Sequence, residues 1–286
     1  MEVLNQHACF GGSQGFYRHD SSAIALPMRF AVYLPPAALA GAKVPALLYL
    51  AGLTCTEETF PTKAGAQRLA AELGLALIAP DTSPRGAGVA GEAESWDLGV
   101  GAGFYLDATQ APWAQHWRME SYLLQELLPL LGEQLPIDLQ RLGIFGHSMG
   151  GHGALTLALR HPGLFKSVSA FAPIANPMNC AWGNKAFSAY LGEDRSLWAA
   201  HDASALMAAQ VQEHGQVPYP KGILIDQGLA DKFLLEQQLL PEAFASACQQ
   251  IGQPLTLRQH AGYDHGYYFI QSLMDEHLRH HAAQLA

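Results

Sequence analysis

The chain has 286 residues, a formal net charge of −9, and 49% hydrophobic against 14% charged side chains. This composition excludes a disordered chain, and an acidic sequence without a lysine or arginine cluster argues against nucleic acid or an anionic membrane as a partner. The first residues, MEVLNQHACF, lack the features of a signal peptide, and no apolar run reaches the roughly 18 residues of a membrane span. Four scattered cysteines form no CxxC pair. We therefore expect reduced thiols, no metal site and a cytoplasmic location.

Short apolar runs predict strands, most of them apolar on both faces. In chain order they span 29–34, 46–50, 75–79, 142–145, 167–171, 222–225 and 255–258. Helical patterns alternate with them at 63–73, 118–131, 150–160, 241–251 and 268–281. This alternation predicts an α/β protein with a mainly parallel central sheet flanked by helices on both faces. No repeat or linker marks a boundary, so we expect one domain over 1–286, with irregular or mixed insertions at 80–103 and 176–216.

The segment GIFGHSMGGHGAL (143–155) contains the pattern G-x-S-x-G around Ser148. A predicted strand precedes this serine and a predicted helix follows it, which is the context of a nucleophile elbow. The glycines on either side leave out Cβ atoms where a strained turn has no room for them. The competing interpretation is a glycine-rich turn with an incidental serine. We interpret His147 and His152 as packing or hydrogen-bonding residues.

A serine hydroxyl is a weak nucleophile unless a histidine, oriented by a carboxylate, accepts its proton, and in this context the chain order is serine, acid, histidine. Asp226 ends a predicted strand and Asp231 lies in the loop after it; the loop position at the carboxyl edge favours Asp231. His260 and His265 both follow the last predicted strand. His265 lies in a loop that enters a helix, whereas His260 could simply end the strand. These patterns leave both alternatives open.

Acyl transfer also needs hydrogen-bond donors for the developing oxyanion, usually the amide after the nucleophile and one from an early strand-to-loop junction. The backbone amides of Met149 and Leu53 have these positions, the latter in the segment AGLTCT after the strand 46–50. Cys55 would then lie nearby, and we interpret it as a small pocket-lining thiol rather than a nucleophile.

Three histidines near the C-terminus, His277, His280 and His281, have the spacing of one helix face. They could bind a metal ion. We favour solvated side chains, or side chains that compensate a helix dipole near the end of a helix.

Ten segments of the chain closely resemble the S-formylglutathione hydrolase family, also called esterase D, of the α/β-hydrolases. They are FYRHDS (16–21), MRFAVYLPP (28–36), GLTCTEETF (52–60), KAGAQRLAAELG (63–74), APDTSPRG (79–86), ESWDLGVGAGFYLDAT (94–109), GIFGHSMGGHGAL (143–155), SAFAPIANP (169–177), ILIDQGLADKFL (223–234) and GYDHGYYFI (262–270). By this resemblance the catalytic serine falls on Ser148, the acid on Asp231 and the base on His265. The oxyanion donors fall on the amides of Leu53 and Met149.

The sequence departs from the family pattern at two positions. Gly266 follows the histidine where the family has serine, and Ala181 precedes a Trp-Gly pair where the family often has proline. These departures concern loop rigidity and substrate contacts and leave the three catalytic positions intact.

The resemblance implies hydrolysis of the thioester S-formylglutathione to formate and glutathione, through a formyl-enzyme on Ser148, with no cofactor or metal. The acyl pocket is expected to be tight, and Trp96 and Trp182 are candidates for its walls, with ordinary packing as the alternative interpretation. The candidate cations for the glutathione carboxylates are Lys63, Arg85 and Lys185, and surface solubility explains such residues equally well. A homodimer is a further family-level expectation. The alternatives are a general short-chain carboxylesterase, an acyltransferase, and a non-catalytic binding module on the same fold.

Overall fold

The computed structural model describes the backbone of residues 1–286 and all side chains except those of residues 213 and 214. Over this backbone nine strands form one sheet in the order β1-β2-β3-β5-β4-β6-β7-β8-β9. They are β1 (Glu2–Cys9), β2 (Gly12–Ser21), β3 (Leu26–Leu34), β4 (Val44–Leu50), β5 (Ala76–Pro80), β6 (Ile137–His147), β7 (Ser167–Phe171), β8 (Ile223–Gly228) and β9 (Leu255–His260). That residues 1–286 form a single domain stays a prediction.

Helices connect most of the strands and pack on the sheet in two groups. The helices are α1 (Pro36–Leu39), α2 (Thr59–Lys63), α3 (Gln67–Leu73), α4 (Met119–Ser121), α5 (Leu128–Gln134), α6 (Met149–Arg160), α7 (Ala181–Leu191), α8 (Ala203–His214), α9 (Lys232–Leu235), α10 (Pro241–Ile251) and α11 (Tyr267–Leu285). Helices α3 and α11 pack on each other and on β5 to β8, whereas α6, α8 and α10 pack on each other and on β4, β6, β7 and β9. None of the helices in the described part of the chain combines the length and apolar character needed to cross a membrane.

The strands from β4 to β9 pair in parallel, and β1, β2 and β3 add an antiparallel extension through β5. The predicted α/β architecture with a mainly parallel sheet is therefore confirmed. The sequence did not predict β1 and β2, because neither carries an apolar run: β1 is exposed along most of its length, and β2 is mostly buried but largely polar. Its turn, Phe10-Gly11, has positive φ at both residues, which suits a two-residue hairpin.

Two predicted helices are interrupted, each for a local reason. The stretch 63–73 is divided into α2 and α3 at Gly65, whose φ of +67° is easy for glycine and costly for other residues. The stretch 118–131 contains a π-helical segment, Tyr122–Leu127, between α4 and α5. Pro129, which has no N–H to donate, lies in the first turn of α5 directly after it. The predicted insertion 176–216 contains α7 and α8.

Parallel pairing brings several loops to one edge of the sheet. Leu50 pairs with Gly146, Gly146 with Ala170, Ala170 with Ile225, and Ile225 with Leu257. Because β4, β6, β8 and β9 run in the same direction, the loops that follow them emerge side by side at their carboxyl ends, where α/β enzymes place their sites.

A buried chain of hydrogen bonds fastens α11 to this sheet. His277 Nε2 lies 2.9 Å from Asp226 Oδ2, and His277 Nδ1 lies 2.7 Å from the Ser169 hydroxyl. The same hydroxyl is 2.8 Å from His281 Nε2, and His281 Nδ1 is 2.6 Å from the Ser167 hydroxyl. With Asp226 ionised and both imidazoles neutral, each ring donates from Nε2 and accepts at Nδ1, so the tautomers inferred from this network satisfy all four ring nitrogens.

The prediction of solvated or dipole-compensating histidines is wrong for His277 and His281. Both are fully buried, and α11 continues to Leu285, so neither lies at its C-terminal end. Burial lowers the pKa of His277 to about 4 and that of His281 well below its ordinary value. His280 is partly buried and bonds the Val168 carbonyl at 3.1 Å. The four-residue spacing of His277 and His281 indicates one helix face, but it does not show that this face is buried.

We predict that the free energy of unfolding falls as the pH is lowered from about 6.5, the ordinary histidine value, towards 4. A histidine whose pKa is depressed by folding binds a proton more readily in the unfolded chain, so acid favours unfolding in this window. Urea denaturation at pH 7.5 and pH 5 measures the effect, with His281→Gln expected to flatten the pH dependence. Equal urea midpoints of the unaltered protein at the two pH values would contradict the prediction.

Candidate active site

Ser148 lies in a strained turn between β6 and α6. Its backbone has φ 59° and ψ −118°, a region that non-glycine residues rarely adopt. The predicted glycines allow this turn: a Cβ on Gly150 would overlap the carbonyl oxygen of Leu50, and a Cβ on Gly146 would overlap that of Gly150. The amide of Ser148 donates to the Phe171 carbonyl of β7 at 3.0 Å. These contacts fix the serine at the carboxyl edge of the sheet.

Asp231 and His265 form a close pair in the loops after β8 and β9. His265 Nδ1 lies 2.5 Å from Asp231 Oδ2, and the Asp231 carboxylate is fully buried. The carboxylate also accepts the Phe233 amide at 2.8 Å and the Gln227 side-chain amide at 3.1 Å. Burial raises the pKa of Asp231, but the His265 hydrogen bond and charge and these two amides outweigh it and lower the pKa below its usual range. The carboxylate therefore stays ionised beside the imidazole.

Asp226 and His260, the alternatives that the sequence patterns left open, are hydrogen-bonded to each other. Asp226 accepts His260 Nε2 at 2.8 Å and a two-point contact from Arg258 at 2.5 and 2.7 Å, in addition to His277. Burial opposes ionisation of Asp226, but the bonds to His277 and Arg258 hold its pKa far below the usual range. Asp226 and His260 thus belong to the buried network under α11, and His265 has Asp231 as its partner.

A cavity of about 180 Å³ brings Ser148 and His265 together. Of the residues expected around it, Leu53, Cys55, Trp96 and Trp182 also line the cavity. The Ser148 hydroxyl forms no hydrogen bond within 3.5 Å to any side chain that the structure describes. Free enzymes often have long hydrogen bonds between nucleophile and base that shorten when substrate binds. Both groups border one small space, so a reacting atom there would meet both.

Aromatic rings form one continuous wall of this cavity. The rings of Trp96 and Trp182 meet edge to face with centroids 5.4 Å apart, Trp182 lies 4.6 Å from Phe233, and Phe233 lies 4.8 Å from His265. Sequence reasoning missed Phe233 and Tyr267, which also line the cavity. Phe233 lies two residues after Asp231 and Tyr267 two residues after His265, and proximity to these candidate residues was the available signal.

His147 is a packing residue, as expected, but its surroundings are unusual. Its ring lies 4.4 Å from the ring of His265, and neither of its buried nitrogens has a hydrogen-bond partner among the described residues. Burial, reinforced by the charge of His265, lowers its pKa well below the ordinary value. His147 is therefore a neutral ring that packs, tilted by 46°, against the ring of His265.

The loop after β4 holds the Leu53 amide close to the elbow. A Cβ on Gly52 would lie only 3.2 Å from the Cβ of Ser148. The Thr54 amide donates to the Gly101 carbonyl at 2.9 Å, while no acceptor in the described chain bonds the Leu53 amide. Met149 is the first residue of α6, where amides lack partners within the helix. Both amides expected to bind an oxyanion are thus near Ser148 and available.

The carbonyl of Cys55 anchors the other end of this loop. It accepts Thr82 Oγ1 at 2.6 Å and Arg85 Nη2 at 3.0 Å, and Arg85 also contacts both oxygens of Asp81 at 2.7 and 2.9 Å. The Asp81 hydrogen bond raises the pKa of the Arg85 guanidinium further. Arg85, expected among the substrate-binding cations, is therefore engaged in holding the loop.

The two lysines expected near the substrate do not line the cavity at Ser148. Lys185 forms an ion pair with Asp97 at 2.5 Å and a hydrogen bond to Ser95 at 2.8 Å. Lys63 lies at the end of α2 with its Nζ 5.8 Å from the ring of Tyr267. Lys63 therefore lies beside a residue of the cavity wall. Unlike Lys185, it has no carboxylate within 4 Å among the described side chains.

A serine on a strand-to-helix elbow, at the carboxyl edge of a mainly parallel sheet, defines the class of protein: an α/β-hydrolase. The Asp231–His265 pair at the same cavity matches the serine hydrolases of that class.

Comparison with known proteins identifies the family. Residues 21–280 match the family described as "Putative esterase". The chain is 52% identical to an S-formylglutathione hydrolase of Mus musculus, covering 100% of this chain and 99% of that one, and 55% identical to one of Paracoccus denitrificans, covering 99% and 98%. The solved structure of an S-formylglutathione hydrolase from Agrobacterium tumefaciens superposes with a TM-score of 0.94 at 47% identity, over 100% of both chains. The chain belongs to the S-formylglutathione hydrolase family and is an esterase.

We predict that Arg85→Met lowers kcat for a short ester about tenfold and changes KM less, because a loop that shifts by a fraction of an ångström misplaces the Leu53 amide. Arg141→Met is the matched control: Arg141 also joins a carboxylate, Asp138, to a backbone carbonyl, that of Lys43. Steady-state kinetics of both variants measure the effect. An unchanged kcat in Arg85→Met would show that the Leu53 amide does not depend on this anchor.

Proposed function

We propose that this esterase hydrolyses S-formylglutathione to formate and glutathione. The observation that carries the proposal is the small cavity shared by Ser148 and His265, in a chain about half identical over its full length to enzymes named for this reaction. A cavity of about 180 Å³ suits a small acyl group, and a formyl group is the smallest.

In the proposed mechanism Ser148 is the nucleophile, His265 the base and Asp231 the acid that orients it. His265 accepts the hydroxyl proton as the oxygen of Ser148 bonds to the formyl carbon. The C–S bond then breaks, and His265 returns the proton to the sulfur of glutathione. Water gives a proton to His265 and attacks the formyl ester, which releases formate and restores the Ser148 hydroxyl.

The buried carboxylate of Asp231 supports this role of His265 in two ways. It fixes the Nδ1–H tautomer, which leaves Nε2 to exchange protons with Ser148, and its negative charge stabilises the imidazolium that forms. The neutral ring of His147 adds no competing charge beside it. The steps use side chains, backbone amides and water, so we propose no cofactor or metal.

The amides of Leu53 and Met149 are the proposed donors to the oxyanion. An oxyanion that forms at Ser148 would lie between the first turn of α6 and the loop after β4, and removal of one such donor in other hydrolases costs about a hundredfold or more in rate. Trp96 and Trp182 are the proposed walls that exclude long acyl chains, with Cys55 as a lining thiol.

The same site would also cleave short esters, so the first alternative function is that of a general carboxylesterase. The second alternative is an acyltransferase, in which an alcohol takes the place of water.

We predict that the rate falls steeply from formyl to acetyl to butyryl thioesters of glutathione, because the aromatic wall leaves little room beyond the carbonyl. Formate release and thiol release measure these rates. Equal rates for the butyryl and formyl substrates would favour the general esterase.

We predict that Ser148→Ala lowers hydrolysis by several orders of magnitude, on the order of 10⁶ where a complete triad is lost in other hydrolases, while the protein stays folded. The fold survives because the elbow needs a small residue rather than a hydroxyl. Cys55→Ala is the control for a nucleophilic thiol and is expected to keep most of the activity. Formate release and circular dichroism check both variants; wild-type activity in Ser148→Ala would refute Ser148 as the nucleophile.

The homodimer and the cytoplasmic location stay predictions that rest on family resemblance and composition. Sedimentation velocity of the purified protein tests the first, and fractionation of cells tests the second.

A further inference from the structure

One cationic side chain beside the cavity has no negative partner. Four cations lie on segments that line or adjoin it, and three of them have carboxylates within 4 Å: Arg85 with Asp81, Lys185 with Asp97, and Lys232 with Glu236. Among the side chains that the structure describes, none offers a carboxylate to the fourth, Lys63, within the same distance.

Lys63 opens onto a second cavity that shares a wall with the first. This second cavity has a volume of about 380 Å³ and is lined by Lys63, Tyr267, Tyr268 and Gln271. Tyr267 also lines the cavity at Ser148. The two cavities thus meet at Tyr267, whose ring lies 5.8 Å from Lys63 Nζ.

The charge of Lys63 acts on one residue that lines the first cavity, Cys55. Burial raises the pKa of the Cys55 thiol, and the positive charge of Lys63 acts in the opposite direction. Cys55 lines the cavity with Ser148. Lys63 is thus near enough to Cys55 for its charge to act on that thiol, and its side chain is exposed.

We propose that Lys63 binds a carboxylate of the thiol half of the substrate, in the cavity it forms with Tyr267, Tyr268 and Gln271; this inference rests on the proposed function. Glutathione is a peptide thiol with two carboxylates, one on its glycine and one on its γ-linked glutamate, and each residue of an extended peptide spans about 3.5 Å. The Tyr268 hydroxyl and the Gln271 side-chain amide add neutral donors beside the ammonium group. The formyl end occupies the small cavity and the peptide end the larger one.

The first test is the kinetics of Lys63→Gln with S-formylglutathione and with p-nitrophenyl acetate, which has no carboxylate. The KM for S-formylglutathione should rise about two- to fivefold, the range that an exposed ion pair provides, with a smaller effect on kcat. The KM for p-nitrophenyl acetate should change less. Lys63→Arg should restore most of the binding, which a loss of packing would not explain.

Salt dependence separates a charge effect from a structural one. Raising NaCl from roughly 0.05 M to roughly 0.5 M should raise the KM for S-formylglutathione in the unaltered enzyme and much less in Lys63→Gln, because screening acts on the ion pair. The controls are Lys43→Gln, which makes the same charge change before β4 at the opposite edge of the sheet, and Lys232→Gln, which removes a compensated cation beside Phe233. Both should shift KM less than Lys63→Gln does.

Product inhibition tests the subsite without the thioester. Glutathione should inhibit p-nitrophenyl acetate hydrolysis less strongly in Lys63→Gln than in the unaltered enzyme. The glycine ethyl ester of glutathione distinguishes the two carboxylates: weaker inhibition by the ester assigns Lys63 to the glycine carboxylate, and equal inhibition assigns it to the glutamate.

An unaltered KM and inhibition constant in Lys63→Gln, in an enzyme that hydrolyses S-formylglutathione, would overturn the subsite alone. An unaltered enzyme that released no formate from S-formylglutathione would overturn the proposed function and this inference with it.

Discussion

The contact between the Ser148 turn and the loop after β4 is the constraint on which the site depends. At Gly150 the backbone lies so close to the Leu50 carbonyl that no Cβ fits, and Gly52 lies against the Cβ of Ser148. This proximity places the serine hydroxyl, the first amides of α6 and the Leu53 amide within one small volume. The strained backbone of Ser148 persists because the surrounding strands hold it on both sides.

The proposed base comes from a part of the fold that is held in place separately. His265 lies just before α11, and α11 is fastened to β7 and β8 through His277, His281 and the buried carboxylate of Asp226. The second aspartate of the same segment, Asp231, then fixes the imidazole itself. One aspartate thus positions the helix and the other orients the imidazole of the proposed base, which explains why the sequence favoured Asp231 without eliminating Asp226.

Patterns in the sequence were sufficient for the sheet core and the elbow because these depend on local features: doubly buried runs, glycines without room for Cβ, and a strand followed by a helix. They were insufficient where the outcome depended on contacts far along the chain. The exposed β1 has no apolar signature, and burial of His277 and His281 depends on strands more than a hundred residues away. Arg85 carries a charge that fits a substrate carboxylate as well as it fits Asp81, so composition alone could not distinguish anchor from ligand.

The central claim is that the oxygen of Ser148 carries the acyl group during turnover. Mass spectrometry of the proteolysed enzyme, quenched with acid in the first turnover of S-formylglutathione, tests it directly. We expect one formyl group on the peptide that contains Ser148, and none on that peptide in Ser148→Ala. A formyl group found on the peptide that contains Cys55, with Ser148 unmodified, would contradict it.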